Sequence, residues 1–379
     1  MLSILLKREV IKLEALSIFE LLFLISIVFY TIQQKIFIKG FRRKLKTNDG
    51  YEPNVTIIVA ARNEEKNIRN CLSSLVEIDY PEEKLEIIIV DDYSTDNTGK
   101  IIDEFTAKYP NIKKVIPTLR VIQKPGKTNA IVNGIKNSSG EIIFTTDADC
   151  VVKPSWIKTQ IKYFTDNVGV VTGFTFQKAY SQFTGMQNLD WVYLLTVAAG
   201  TINLGLPLSC IGNNMAYRRD AYDWVGGYEN IKFSVTEDFA LLHKIHKHTH
   251  YEVVFPVELE GINISEPCSD WKSLYRQKHR WGKGGLDAPL IGFVIMFWGW
   301  FSHFLILLQI FFGSVFTLIL TALKFLSDLI FLTIPLKKFK MLNQLKYFIS
   351  FEIYFILYVL ILPLVVFLDK KVIWKEREY

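Results

Sequence analysis

The stretch TTDADCVVKP, residues 145–154, sets Asp147 and Asp149 one residue apart, directly after the apolar run EIIF. Two carboxylates at i and i+2 on a loop repel each other unless a cation stands between them. A hard divalent ion such as Mg2+ or Mn2+ can be ligated by such a pair, directly and through water, and keeps open positions for phosphate oxygens. A nucleotide diphosphate leaving group is the natural ligand of that arrangement. Aspartates at this spacing also form turns and cap helices, so the pair gains meaning only from its company.

Lys127 lies in QKPGKTNA, a Gly-containing loop that opens a helix, where backbone amides and an ammonium favour phosphate. The G-x-x-x-x-G-K-[ST] spacing of a P-loop is absent. Asp92 follows the apolar run EIIIV, where it can accept a hydrogen bond from a base or ribose, or simply start a turn. Glu237 and Asp238 open a predicted helix in SVTEDFALLHKI, with Leu241, Leu242 and Ile245 on its apolar face. Acidic residues suit a helix N-terminus; a carboxylate there can also take a proton from an attacking hydroxyl. QKHRW, residues 277–281, joins Gln277, Arg280 and Trp281. An Arg and a Trp there either anchor a membrane interface or stabilise diphosphate charge and stack on a sugar. His243 and His246 share a helix face, but the polar KHTH that follows reads as solvated surface rather than a metal site. Cys71, Cys150, Cys210 and Cys268 lack C-x-x-C spacing, so neither a zinc site nor a disulfide framework is indicated.

The elements that must carry these residues alternate. NVTIIVAARNEEKNIRNCLSSLVEI opens on a β-branched run from Val55 to Ala60, then places Ile68, Leu72 and Leu75 at helical spacing. KLEIIIVDDYSTDNTGKIIDEF repeats the scheme, with a strand at Ile87 to Val90 and a helix around Gly99 to Phe105. A third unit runs from LRVIQ, residues 119–123, through KTNAIVNGIKNSSG to the strand EIIFTT. Apolar strands alternating with helices predict an α/β fold with a mainly parallel sheet covered on both faces. Ligands of such sheets sit at the carboxyl ends of the strands, which puts Asp91, Asp92, Asp147 and Asp149 along one crevice.

Half of the 379 residues are apolar and the mean hydropathy is +0.21, high for a soluble enzyme. Leu16 to Gln33 is about one bilayer crossing long, with Glu20 as its only charge, and reads as a retained anchor rather than a cleaved signal. Further spans are expected at about 290–311, 314–336 and 348–368. The division is then 1–41 with the first span, 42–288 as a catalytic domain, and 289–379 as a C-terminal membrane region. The basic segment KIFIKGFRRKLK outweighs Lys7, Arg8 and Lys12 on the other side of the first span, which predicts a multi-pass cell-membrane protein with a cytoplasmic domain. The net charge of +6 is read as topology and attraction to anionic membrane lipid, not as nucleic-acid binding.

In order and spacing, VTIIVAARNEE, IIIVDDYSTDNT, GKTNAIVNGI, TTDADC, GNNMAYRRDAYDWVGGYE, TEDFAL and QKHRW resemble the membrane-embedded inverting family 2 glycosyltransferases, such as poly-N-acetylglucosamine synthases and ceramide glucosyltransferases. The similarity covers about residues 54 to 285 and the helices around them. The resemblance implies a Rossmann-like GT-A domain that moves a sugar from a nucleotide-diphosphate sugar, a UDP-sugar in most such enzymes, to a lipid or glycan hydroxyl. By the same resemblance Ala61, Arg62, Glu64, Asp92, Lys127 and Asp147 contact the nucleotide sugar, and Asp149 with Asp147 holds Mg2+ or Mn2+. Asp238 is the catalytic base beside Glu237, and Gln277, Arg280 and Trp281 form the acceptor and diphosphate end. About three spans after the domain is few for a self-sufficient polymer channel, so single-sugar addition stands beside processive synthesis. A non-catalytic scaffold conflicts with the intact acidic set and Arg280; a nucleotidyltransferase would not explain TED followed by QKHRW.

Overall fold

The computed structural model describes residues 16–118, 126–369, 371, 373–374 and 377–378. Strands β1 (Val55–Ala61), β2 (Leu85–Asp91), β3 (Ile112–Val115) and β4 (Ile142–Asp147) are linked by helices α2 (Ile68–Leu75), α3 (Thr98–Lys108) and α4 (Lys127–Lys136), after a long first helix α1 (Ile18–Phe41). The stretch LRVIQ, from which the third unit was expected to start, lies outside the described residues; the described strand preceding α4 is β3. The chain continues through β5 (Cys150–Val151), α5 (Trp156–Ile161), β6 (Val168–Thr172), β7 (Thr175–Gln177) and α6 (Gln182–Asn203). It then forms β8 (Met215–Arg218), α7 (Arg219–Trp224), α8 (Glu237–His248), β9 (Glu252–Val254), β10 (Asn263–Ser265) and α9 (Trp271–Gly285).

Among the described residues, seven strands form one sheet in the order β3-β2-β1-β4-β8-β6-β9. It is mainly parallel, as expected, but β8 runs antiparallel to both β4 and β6. The register brings Ala61 level with Asp91, and Ala60 level with Asp147, so three strands end along one rim. Alternate side chains of these strands enter two different cores. Val55, Ile57, Val59, Ile87, Ile89 and Phe144 pack with α2, α3 and α5, while Ile58, Ile88, Val90 and Ile143 pack with α4, α6 and α8. Burial on both faces is why the strands read as unbroken apolar runs.

The remaining helices are α10 (Leu290–Phe312), α11 (Val315–Lys338) and α12 (Phe348–Leu368). Among the described residues, four helices are long and apolar enough to cross a membrane: α1, α10, α11 and the segment ending in α12. The first is longer than Leu16 to Gln33, because the basic stretch after it continues the helix to Phe41. Lys7, Arg8 and Lys12, used for the charge asymmetry, lie outside the described residues. Leu332, Leu336, Phe339 and Phe351 share one apolar core with the sheet face covered by α6.

The helix α6, which the sequence pattern did not single out, lies against α1 with its backbone in near contact. A Cβ built on Gly40 would sit 1.9 Å from the Gly200 carbonyl oxygen, and one on Gly200 would sit 2.4 Å from the Phe37 oxygen. Only hydrogen fits at either position. Toward the other end of α1, Lys324 is wholly buried between Asp328 Oδ2 and Glu352 Oε2, each at 2.7 Å, and the Tyr30 hydroxyl donates to Asp328 Oδ1. Forcing a Cβ into the α1–α6 contact is overpacking, which costs about 1–3 kcal/mol, so Gly40→Ala and Gly200→Ala should each lower the unfolding temperature of the detergent- or nanodisc-held protein. Equal melting of both variants and wild type would contradict a close α1–α6 contact.

Candidate active site

The rim of the sheet concentrates the candidate residues because each follows the end of a parallel strand. The Asp92 amide donates to the Ala61 carbonyl at 2.8 Å, joining the ends of β1 and β2. Arg62 reaches across with Nη1 donating to the Asp92 carbonyl at 2.7 Å. The loop behind it is held by side chains. The Glu64 amide donates to Thr98 Oγ1 at 2.7 Å, Thr95 N to Asn63 Oδ1 at 2.9 Å, and Ser94 N to Asp91 Oδ1 at 3.0 Å. Asn63 and Tyr93 take positive φ, 52° and 55°, where the two loops turn over the strand ends. Ala61, Arg62, Glu64 and Asp92 therefore form one shelf.

Lys127, the first residue of α4, projects to the middle of the rim. Its Nζ lies 2.7 Å from Asp147 Oδ1 and 3.3 Å from Glu237 Oε1. Burial works against its charge, but Asp147, Glu237 and Asp238 outweigh it and hold the ammonium above its ordinary range. Asp147 closes β4 and Asp149 sits in the turn to β5. Ser265 Oγ donates to Asp149 Oδ2 at 3.4 Å, linking the turn to β10.

Asp238 stands in the first turn of α8, with its Oδ1 accepting the Phe239 amide at 2.8 Å. Its other oxygen lies close to Gly212, where an added Cβ would come within 3.0 Å of Oδ2. Gly212 is pinned to the sheet because Thr145 Oγ1 donates to its carbonyl at 2.7 Å. Burial, then the charge of Glu237, pushes the Asp238 carboxyl up to about 6, against the pull of Lys127, the Phe239 amide and Arg280. A carboxylate tuned upward in this way is suited to accept a proton near neutral pH. Arg280 on α9 donates from Nη1 to the Val235 carbonyl at 3.0 Å, bringing its guanidinium to the loop that leads to Asp238.

The other members of QKHRW have different surroundings. Trp281 is partly committed to packing, its ring 5.4 Å from that of Trp191 and 4.2 Å from Lys278 Nζ. Gln277 has a buried Oε1 without a hydrogen-bond partner. The structure thus unites Lys127, Asp147, Glu237, Asp238 and Arg280, with Asp149 on the adjoining turn and the Ala61–Asp92 shelf on neighbouring strands. Sequence reading missed how this group is supported. Asn213 and Asn214, buried behind Gly212, fix that segment: Thr175 Oγ1 donates to Asn213 Oδ1 at 2.7 Å, Trp156 Nε1 to Asn214 Oδ1 at 2.9 Å, and Asn214 Nδ2 to the Phe174 carbonyl. The paired asparagines of GNNMAYRRD were the available signal.

Asp147 and Asp149 offer hard oxygens, and among the described residues no group of three or more His, Cys, Asp or Glu side chains converges as a metal cage. Mg2+ is commonly held by one or two carboxylates together with substrate phosphates. The pair therefore fits an ion whose shell a diphosphate completes, and does not fit a resident structural metal.

A mainly parallel sheet with this acidic rim defines the GT-A architecture. The solved structure of the mannosyltransferase PcManGT from Pyrobaculum calidifontis, in complex with GDP-Man and Mn2+, shares the fold with a TM-score of 0.59 at 18% identity, covering 89% of this chain and 98% of that one. The model for "Glycosyl transferase family group 2" matches residues 142–368 and that for "Glycosyl transferase family 2" matches residues 56–226; the chain belongs to this family of glycosyltransferases. A beta-monoglucosyldiacylglycerol synthase of Synechocystis is 29% identical over 254 residues, 65% of this chain and 50% of that protein. A poly-beta-1,6-N-acetyl-D-glucosamine synthase of Staphylococcus epidermidis is 29% identical over 273 residues, 71% of this chain and 63% of that protein. The chain thus spans between half and two thirds of the length of these curated relatives.

The electrostatics give an opposed pair of shifts. Lys127 lowers and Glu237 raises the Asp238 pKa. In a pH–rate profile, the acidic limb should move to higher pH in Lys127→Met and to lower pH in Glu237→Gln. Limbs that move the same way, or not at all, would remove Asp238 as the titrating group.

Proposed function

We propose that this chain is an inverting glycosyltransferase that moves one sugar from a nucleoside-diphosphate sugar to a hydroxyl of a lipid or glycan at a membrane surface. The observation that carries the reading is the placement of Asp238: partly enclosed, next to Glu237, within the electrostatic reach of Lys127 and Arg280, and tuned upward by this setting. Asp238 takes the proton of the acceptor hydroxyl. The oxygen attacks the anomeric carbon from the face opposite the diphosphate, the bond from that carbon to the diphosphate oxygen breaks, and configuration inverts without a covalent enzyme intermediate. A divalent ion held by Asp149 and Asp147, when bound, supplies positive charge to the departing diphosphate.

The residues of the chain supply the remaining parts. The shelf of Ala61, Arg62, Glu64 and Asp92 receives the nucleoside, Lys127 holds charge balance between Asp147 and Glu237, and Arg280 offsets the negative charge that develops on the leaving group. Gln277 is assigned to the acceptor end, while Trp281, whose ring packs on Trp191 and Lys278, supports it from the rear side of the helix. The names of the relatives point to two acceptor classes, a diacylglycerol lipid and a poly-N-acetylglucosamine glycan. The donor of the PcManGT complex is GDP-Man, so the base is tested as UDP against GDP. The four candidate spans support a multi-pass arrangement, with residues 42–288 as the catalytic domain on the cytoplasmic side, residues 1–41 entering through α1 and residues 289–379 forming the C-terminal membrane region.

The direct experiment incubates the purified full-length protein with a panel of UDP- and GDP-sugars, Mg2+ or Mn2+ and lipid or glycan acceptors, and measures nucleoside diphosphate release. Release that depends on both acceptor and metal is expected; a nucleoside monophosphate or pyrophosphate product would point instead to a nucleotidyltransferase. Asp238→Asn should lower kcat about 10²–10⁴-fold, and unchanged turnover would end its assignment as base. Stability gives an independent check. A folded-state pKa raised above the unfolded value means that this group's favourable contribution is lost as pH rises through about 6. Asp238→Asn should therefore melt above wild type at pH 8 and lose that advantage by about pH 4, near the ordinary aspartate pKa.

A further inference from the structure

Behind the transfer site, Lys278 of α9 and Asp190 of α6 form a direct ion pair in which both side chains are almost wholly buried. The enclosure is aromatic. The Lys278 ammonium lies 4.2 Å from the Trp281 ring centroid and 5.0 Å from that of Tyr358, and the Tyr354 hydroxyl donates to Asp190 Oδ2 at 3.4 Å. Neither residue belongs to the proposed chemistry. An ion pair this deep carries a large desolvation cost and is weak evidence of stability for its own sake, so its position calls for another explanation.

We propose that the Lys278–Asp190 pair is a positioning device: it sets the rotation of α9 so that Arg280 meets the Asp238 loop, and its setting depends on the seating of α12. The proposal rests on the glycosyltransferase reading above. An α-helix turns about 100° per residue, so Lys278 and Arg280 point about 200° apart, toward opposite sides of α9. On the rear side, Lys278, Trp281 and Gly282 meet α6 and α12; a Cβ on Gly282 would lie 2.5 Å from Val366. The Lys283 ammonium donates to the Val366 carbonyl at 2.6 Å, and the His279 ring nitrogen Nε2 lies 3.0 Å from the Asp369 carbonyl oxygen. On the front side, Arg280 donates to Val235, and one turn on, Gly284 allows Thr236 so close that an added Cβ would be 2.3 Å from its Oγ1. A small rotation of α9 about its axis moves Arg280 away from Asp238. The rear charge pair resists that rotation because slipping it would leave two charges buried alone.

The test uses the full-length protein in nanodiscs with the single variants Lys278→Met, Asp190→Asn and Lys278→Arg and the double variant Lys278→Met/Asp190→Leu. Melting temperature, kcat, donor KM and amide hydrogen exchange of residues 271–285 are measured on each. Singles that strand a charge should melt low. The double variant, with no charge left to strand, should melt near wild type, yet keep kcat about ten- to a hundredfold down with donor KM little changed, because misplacement rather than lost donor binding is the defect. Lys278→Arg should recover part of kcat, and α9 should exchange faster in the double variant than in wild type. Recovery of kcat together with melting temperature in the double variant would overturn the proposal and leave the pair a matter of stability alone. If wild type transfers no sugar from any donor, the functional reading fails; the exchange of α9 then decides the pair, slow exchange in the double variant counting against it.

Discussion

Negative charge gathered at one end of a sheet is the constraint around which the rest of this structure is arranged. Asp92, Asp147, Asp149, Glu237 and Asp238 come from three separate stretches of chain, and the fold brings them to one rim. Such a gathering is unfavourable by itself. It persists because the strands that deliver it are buried on both faces, and because Lys127 inserts an ammonium between Asp147 and Glu237. What remains unbalanced has a chemical consequence: an anionic rim suits a divalent cation, and the charge of Glu237 adds to burial in raising the Asp238 carboxyl.

The support for that rim is mostly neutral. Buried amides and hydroxyls, rather than further ion pairs, hold Gly212 and its neighbours against Asp238: Thr145, Thr175, Asn213, Asn214 and Trp156 are satisfied by one another or by backbone carbonyls. Neutral groups fix geometry without adding to the field, so the electrostatics of the site are set by the few charges that face it. The charged pair Lys278–Asp190 lies on the far side of α9, where its two charges face each other and nearby aromatic rings.

Much of this could be read in the sequence, for identifiable reasons. Double-sided burial turns strands into apolar runs, and their carboxyl ends are where polar residues begin, so the α/β scheme and the position of Asp92, Asp147 and Asp149 followed from pattern. Leu241, Leu242 and Ile245 marked α8 in the same way. Other features left no periodic trace. The antiparallel β8 is four residues long and pairs with strands distant in sequence. Helix α6 is buried on nearly all sides, so it has no polar stripe to give it away. The Lys127 contact with Glu237 joins residues more than a hundred positions apart, and the Lys278–Asp190 pair joins α9 to α6, relations that no local spacing encodes.

The core that α6 shares with Leu332, Leu336, Phe339 and Phe351 has a consequence for how the chain comes to be made. A growing polypeptide completes the strands of the sheet well before the ribosome reaches α11 and α12. During that interval one apolar face of the sheet has α4, α6 and α8 to cover it but lacks its last neighbours, and transiently exposed faces of this kind are where aggregation begins. Synthesis beside a membrane gives the late helices a short path back to that face, so the order in which the chain emerges favours folding at the bilayer over folding free in solution.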